Sequence, residues 1–416
     1  MILKDAEKYA AAVCHADETH FLVNGSSCGI LSAVFSATKQ GGEMIMARNC
    51  HKAVYYAAEL RQLKVHYLYP QLLEEGILGG ITVEMVEEAF EKYPNAKTLI
   101  LTSPTYDGVV SDVKSIVKAA HSRGVTVIVD EAHGGHFLKE SGFPKSAIRC
   151  GADVVIQSIR KMLPAMKQTG LIHIHQDYKY KENLRKYLSM FQTPNPSEVL
   201  IESIDGAMHW YMEEGREIYE GYIGNLKKLR RALHAQLKHL KVILPEDIFE
   251  YDLSKTLVSA RGTNISGEEL KKCLNKKYNI SSDVVSLDCV LIMTSPADKE
   301  EDYLRILDGV LEIDAGLEKQ FIREQSKNEM TRPKALMSIS EAIEKTKKAV
   351  PLPESMGEAS AVFVYIYPMG IPLLTPGEKI SERCVKSLQY YLEEGWKIHG
   401  LTKEGEIEIV WEEFFI

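Results

Sequence analysis

At 416 residues, with 45% hydrophobic and 26% charged side chains, the chain has the make-up of an ordinary globular protein with a large buried core. A net charge of −8 excludes a general nucleic-acid surface, which needs clustered positive charge. No apolar run reaches the roughly 18 residues of a membrane-spanning helix.

Met1 to Glu7 reads as the start of an amphipathic helix rather than a signal peptide, which would need an apolar core after basic residues. Phe21 to Val23 is the first strand-like run. It leads into Asn24-Gly25-Ser26-Ser27-Cys28-Gly29 and a helix-period stretch to Lys39. Glu43 to Ala47 is a short strand, followed by a helix from about Cys50 to Leu60 and a strand near Val65 to Leu68. Thr82 to Tyr93 is helical, Thr98 to Leu101 a strand, and Asp112 to Arg123 a helix ended by Gly124. Strands at Val125 to Val129, Val154 to Ile156 and Leu171 to Ile174 follow. Strands separated by helices imply right-handed crossovers and an α/β fold with a mostly parallel sheet.

Past residue 180 the pattern changes. Glu198 to Leu240 reads as long helices. Lys255 to Ser259, the turn Arg261-Gly262-Thr263-Asn264, a helix from Gly267 to Lys277 and a strand from Val290 to Met293 suggest a small α+β domain ending near Ala315. Glu318 to Lys334 reads as a linker or exposed helix, and the prolines in Tyr367 to Glu378 exclude regular helix there. The division this suggests is 1–200, 201–316 and 317–416. Seven cysteines, scattered with no C-x-x-C pair, point to reduced thiols and a cytoplasmic protein.

The chemistry concentrates at strand ends. Small residues in Asn24 to Gly29 let backbone approach an anion, and the helix start adds N–H donors, a positive dipole end and serine hydroxyls. This suits a phosphate monoester; the plainer reading is a helix cap. His51 begins the next helix, where it either lies on an aromatic cofactor or caps its own helix. Asp130 ends the most apolar strand, and a buried carboxylate there needs a cationic partner. Lys161 follows the next strand, at the same carboxyl edge of the sheet, where open α/β sheets bind ligands. An acid that keeps a pyridine nitrogen protonated and a lysine that forms a Schiff base are the minimum apparatus for pyridoxal 5′-phosphate. His133 and His136, beside Asp130 and Glu131, raise the alternative of a metal site. Their loop spacing is not the i, i+4 spacing of H-E-x-x-H, so no metal is expected.

Taken together, FLVNGSSCGI, RNCHKAVYYA, LTSPTYDGVVSDV, VIVDEAHGGHF, QSIRKMLPAMKQTGLIHI, FQTPNPSEVLIESID and YPMGIPLLTPGE run in an order that resembles the Orn/Lys/Arg decarboxylases, specifically the shorter bacterial members. The resemblance covers nearly the whole chain. It implies a seven-stranded pyridoxal-phosphate-transferase sheet of the aspartate-aminotransferase type, a small α+β domain and a C-terminal α+β domain. By position it implies Lys161 as the Schiff-base lysine and Asp130 as the partner of the pyridine nitrogen. His51 would stack on the ring, Ser26, Ser27 and Ser158 would hold the phosphate with the Cys28 segment, and Ala132 and His133 would line the cofactor. His133 shares with Lys161 the candidacy for protonating Cα. The implied reaction is decarboxylation of arginine, lysine or ornithine by a homodimer or higher homo-oligomer, with no nucleic-acid or membrane partner.

Two departures from the family stand out. Arg160 occupies the place of a histidine just before the lysine, and a forked guanidinium there would pair with the phosphate. Family members also carry residues before the helix that begins here near Met1, including a glycine- and histidine-containing segment. A Pro-to-Met change at Met369 is minor. The rival expectations are an aminotransferase or lyase of the same fold, and a catalytically impaired member acting as a partner subunit.

Overall fold

The computed structural model describes residues 2–73, 76–138, 141–243, 249–320, 332–366, 371–393 and 395–411. Helix α1 (Ile2–Cys14) leads into β1 (Glu18–Leu22), α2 (Gly25–Ala37), β2 (Glu43–Ala47), α3 (Lys52–Leu60) and β3 (Lys64–Leu68). Then come α4 (Val83–Lys92), β4 (Thr98–Thr102), the short β5 (Val109–Val110), α5 (Val113–Ser122), β6 (Thr126–Asp130), β7 (Val154–Gln157) and β8 (Gly170–Ile174). Local chemistry starts several of these helices. Thr82 Oγ1 accepts from the Met85 N–H, and Asp112 Oδ1 from that of Ser115, each satisfying a donor left open in the first turn.

Seven strands form one sheet in the order β1-β8-β7-β6-β4-β2-β3. β3, β2, β4, β6 and β7 run parallel. Their apolar runs are buried, as a sheet covered on both faces requires. The exception to the crossover pattern is β8, which pairs antiparallel with both β7 and β1. Between β7 and β8 lies only a 3-10 turn (Ile159–Lys161) and loop, with no crossover helix, so the chain returns antiparallel.

The segment read as long helices holds α7 (Glu198–Trp210), a π-helical turn (Tyr211–Gly215) and α8 (Arg216–Gln236), preceded by α6 (Lys181–Phe191). Helix ends before residue 240 because the Asp314 carboxylate accepts the N–H groups of Lys238, His239 and Leu240 at 2.6–2.8 Å. A four-stranded antiparallel sheet follows, built from β9 (Lys241–Val242), β11 (Lys255–Ser259), β12 (Asp283–Val284) and β13 (Cys289–Met293) in the order β12-β13-β11-β9. It carries α9 (Gly267–Tyr278) and α10 (Glu300–Ala315), and the intervening β10 (Glu250–Tyr251) pairs with β5 beside the large sheet.

The C-terminal part holds α11 (Ile339–Glu344), β14 (Lys347–Pro351), β15 (Val364–Ile366), β16 (Pro372–Leu374), α12 (Glu382–Glu393), β17 (Ile398–His399) and β18 (Glu406–Val410). Val350, Val364, Leu374, Leu388 and Ile407 form its core. The expected linker is described only at 318–320 and 332–334, and Met369 lies outside the described residues.

One buried ion pair ties this part to the large sheet. Arg48, just past β2, donates to Glu378 Oε2 at 2.9 Å and to the Leu373 carbonyl at 3.2 Å, and its guanidinium lies 4.7 Å from the centre of the Tyr67 ring. Both charged side chains are only 1% exposed. Removing one partner strands the other charge in the interior. Glu378→Ala is therefore expected to cost about 3–5 kcal/mol of stability in urea unfolding at neutral pH.

Candidate active site

A cavity of about 1340 Å³ opens at the carboxyl ends of β2, β4, β6 and β7. Its position follows from register: Thr102 of β4 pairs with Asp130 of β6, and Asp130 with Ile156 of β7. The three strands thus end level, and whatever follows each one projects into the same space. Asp130 is 2% exposed, and its Oδ1 accepts the Ala132 N–H at 3.1 Å. Burial pushes its carboxyl above the ordinary range, against the pull of His51 and Lys161. A cation bound beside it would relieve that cost.

Lys161 ends the 3-10 turn after β7, and its Nζ lies 2.6 Å from Nε2 of His133. One of these nitrogens must donate to the other, so the two are not both cationic. Burial lowers the proton affinity of the Lys161 ammonium, Asp130 opposes this, and Lys255 and Arg160 add to the lowering, leaving it at about 8. His133 is held well below the ordinary imidazole value by burial and then by Lys161. Its Nδ1 is buried without a hydrogen-bond partner, and Tyr106 stands edge-on to its ring at 5.2 Å, anchored through its hydroxyl to Asp283 at 2.7 Å. An amine whose proton affinity is lowered in this way offers more of its neutral, nucleophilic form toward a carbonyl near neutral pH than an ordinary lysine does.

At the other side of the cavity α2 begins. Gly25 adopts a φ of +74°, and its N–H is taken by the Gln168 carbonyl at 2.8 Å, which fixes the turn into the helix. Asn24 makes no side-chain cap, so an anion has first-turn donors to meet. Ser26, Ser27 and the buried Ser158 line this end, with Arg160 exposed on the wall. Cys28 differs from the expectation. Its thiol is buried, donates to the Gly25 carbonyl at 3.0 Å, is pushed up to about 11 by burial, and is not part of the cavity wall. One turn into the helix, its side chain points inward, and only its backbone belongs to the anion end.

His51 caps its helix and also faces the cavity. Its Nδ1 accepts the Ala53 N–H at 3.2 Å, which caps α3, and the same ring lines the cavity. Burial and Lys161 favour its neutral form over the pull of Asp130. The neighbours that suggested a metal do other work. His136 is fully buried and bonds Asp252 at 3.0 Å, while Glu131 accepts from Ser146, the Ala147 N–H and Gln157 at 2.6–2.7 Å.

Several lining residues escaped the sequence reading. Asn49 and Thr102 follow or end strands β2 and β4, and each presents a buried side-chain oxygen without a hydrogen-bond partner. Inspecting every strand end, rather than those bearing charges, would have found them. Asp107, pushed up to about 7 by burial, follows β4 in the wall. Asp288, Leu373, Arg383 and Tyr390 come from the smaller sheet and the C-terminal part, and no local signal announces them.

The site thus offers donors for an anion, a buried carboxyl for a cationic ring atom, and an amine for a carbonyl. The family model of the Orn/Lys/Arg decarboxylase major domain matches residues 2–257, and that of the C-terminal domain of the same enzymes matches 315–403. The chain belongs to the Orn/Lys/Arg decarboxylase family. Arginine decarboxylase of Bacillus subtilis (strain 168) is 31% identical over 407 residues, covering 96% of this chain and 83% of that one. Constitutive lysine decarboxylase of Escherichia coli (strain K12) is 27% identical over 216 residues, covering 49% of this chain and 30% of that one. Among solved structures, lysine decarboxylase A from Pseudomonas aeruginosa superposes with a TM-score of 0.84 over 98% of this chain and 71% of that one, at 20% identity.

The displaced proton affinity of Lys161 has a measurable consequence. In the folded chain the amine loses its proton near pH 8, and in the unfolded chain near 10.5. Between these values the unfolded state binds more protons, so this group makes stability rise with pH; below pH 8 its full cost is present. Lys161→Met is expected to stabilise the chain at pH 7 by on the order of 2 kcal/mol, with the gain fading as pH passes from 8 to 10.5. Urea unfolding of both proteins across that range checks it.

Proposed function

We propose that this chain uses pyridoxal 5′-phosphate to decarboxylate a basic amino acid, arginine foremost, releasing CO2 and the corresponding amine. The observation that carries this reading is the Lys161–His133 contact of 2.6 Å in one cavity with the buried Asp130. Family membership supports it. The preference for arginine rests on the Bacillus subtilis relative, which matches along nearly the whole chain.

The residues fit the cofactor. The α2 start with Ser26, Ser27 and Ser158 suits its phosphate, and Arg160 adds a forked cation on the wall. The Asp130 carboxyl, costly to bury alone, suits a protonated ring nitrogen, and the Ala132 N–H fixes one of its oxygens. His51, held by its cap, supplies a flat face for the ring. Bound at Lys161, the cofactor supplies an electron sink for the bond that breaks at the substrate α-carbon.

The protein's own residues do the rest. Lys161, with its lowered proton affinity, supplies a neutral amine for attachment and a base once displaced. His133, held neutral, takes or returns a proton at Lys161 Nζ, so the pair can deliver one to Cα after CO2 leaves. Walls from three parts of the chain surround the space beside Lys161 and would orient a substrate held there. Asp107, Asp288 and Glu382 give the cavity acidic side chains, which suits a substrate with a second cation. A homodimer or higher homo-oligomer in the cytoplasm belongs to this proposal.

Purified protein with added cofactor is expected to release CO2 from arginine with a higher kcat/KM than from lysine or ornithine. Lys161→Ala is expected to lower the rate by on the order of 10³-fold or more, and Asp130→Asn by about 10²-fold. Keto-acid formation without CO2 would assign the chain to aminotransfer instead. Cofactor binding with no turnover of any of the three amino acids would favour the impaired partner subunit.

A further inference from the structure

A hydrogen-bonded chain of buried side chains crosses the large sheet beneath the site. The Thr19 hydroxyl of β1 lies 2.8 Å from His173 Nδ1 of β8, and His173 Nε2 lies 3.0 Å from Gln157 Oε1 at the end of β7. Gln157 Nε2 in turn donates at 2.7 Å to Glu131 Oε2, just past β6. None of the four is more than 3% exposed, and they follow the order in which the strands lie. The direction of the chain is fixed at one end. Gln157 faces two acceptors there, the Glu131 carboxyl and, at 3.4 Å, the Gly134 carbonyl, so its amide nitrogen must point toward them. Its oxygen then takes the His173 Nε2 proton, and the bare Nδ1 accepts from Thr19. Apolar side chains would fill this layer with no desolvation cost, so packing alone does not explain it.

The far end of this chain stands next to the cavity groups. Glu131 opens the loop that carries His133, and Gln157 precedes the turn that carries Lys161. The loop folds over the Glu131 side chain: the Gly134 N–H donates to the Glu131 carbonyl at 2.9 Å, and a Cβ on Gly134 would lie 2.6 Å from Glu131 Cγ. On its other side the loop meets the turn, where a Cβ on Gly135 would lie 3.2 Å from Ile159 Cα. The His133 ring has little hold of its own. Its Nδ1 has no hydrogen-bond partner, and its Nε2 meets the Lys161 amine it would serve. The backbone of the loop therefore decides where the ring stands.

We propose that Gln157 is a positioning residue: by tying Glu131 and the Gly134 carbonyl to the end of β7, it holds the His133 loop against the Lys161 turn and keeps the imidazole on the amine. Glu131 is the other half of the clasp. Ser146 and the Ala147 N–H, at 2.6 and 2.7 Å, fix the carboxyl that Gln157 grips. His173 and Thr19 set the direction of the amide from behind. An apolar residue at 157 would strand the His173 Nε2–H and the Gly134 carbonyl in the interior and take one donor from Glu131, so loop and turn would be free to part.

Diethyl pyrocarbonate modifies neutral imidazoles, and mass spectrometry of the treated, cofactor-free chain gives a rate at each histidine without any turnover. Gln157→Leu is expected to raise the rate at His133 by about tenfold, the weight of a buried hydrogen-bond partner left unsatisfied. His136, held by Asp252 in the same loop, is expected to keep its native rate. An unchanged rate at His133, or an equal rise at His136 such as general loosening would give, overturns the proposal. Should Gln157→Leu fail to give a native circular-dichroism spectrum, a pair of variants at pH 8 decides the matter. Gln157→Glu sets two carboxyls against each other and is expected to release His133; adding Glu131→Gln restores a donor facing an acceptor and is expected to return the native rate. No difference between these two overturns the proposal. A second readout, turnover of arginine, rests on the decarboxylase reading. Gln157→Leu is expected to lower kcat by about 10²-fold with KM nearly unchanged, and by less than about twofold in a His133→Ala background, because the two changes act as one. Equal losses in both backgrounds overturn the proposal. A native chain that turns over none of the three amino acids would defeat the decarboxylase reading and leave the labelling result to decide on Gln157.

Discussion

The level ending of β4, β6 and β7 is the constraint on which the site depends. Because Thr102, Asp130 and Ile156 stand side by side in the ladder, a carboxyl and, one short turn later, an amine arrive at one edge of one sheet. A register slip of one residue would invert every side chain along the strand, turning Asp130 into the packed layer and a valine toward the cavity. The close packing of the buried valines and isoleucines on both faces of β6 and β7, which a slipped strand would have to rebuild, opposes that slip. The hydrophobic core thus does more than stabilise the sheet; it sets where the charged groups stand.

Those charged groups sit in an environment that disfavours charge. Lys161, His133 and Asp130 are all shifted first by burial, and each is moved toward its neutral form. This is unfavourable for folding and useful for chemistry, since a neutral amine attacks carbonyls and a buried acid holds a cationic ring atom tightly. The surrounding network is built differently. Glu131, adjacent to Asp130, has three donors, and Asp252 has a histidine and a backbone N–H. Neighbouring acids in one motif therefore divide between a saturated structural knot and a site left unsaturated for a ligand.

The parallel part of the sheet, and the edge on which Asp130 and Lys161 meet, were legible because they rest on local patterns: apolar runs of strand length, helix starts and strand-end polar residues. The antiparallel course of β8 was not, because Leu171 to Ile174 looks the same in either direction; only the missing crossover helix decides it. The break near residue 240 was hidden because its cause, Asp314, lies far along the chain. Cys28 was misjudged for a rotational reason. In a helix start, neighbouring residues point apart, so Ser26 and Ser27 meet the cavity while the Cys28 thiol does not.

These two kinds of legibility map onto the two ends of the cavity. The end holding Ser26, Ser27, Asp130, Ser158 and Lys161 is assembled within the large sheet from segments whose motifs are continuous in sequence. The other end draws on Asp107 and Asp288 and on Leu373, Arg383 and Tyr390 of the C-terminal part, which reach it through the β5–β10 pair and the Arg48–Glu378 ion pair. Arg48 itself lines the cavity while its guanidinium donates to Leu373, another lining residue. The contact that attaches the C-terminal part is therefore also part of the cavity wall. Any change that shifts this attachment reshapes that end of the cavity and leaves the Asp130–Lys161 end in place. The two ends of the cavity are thereby built independently, in space and in sequence.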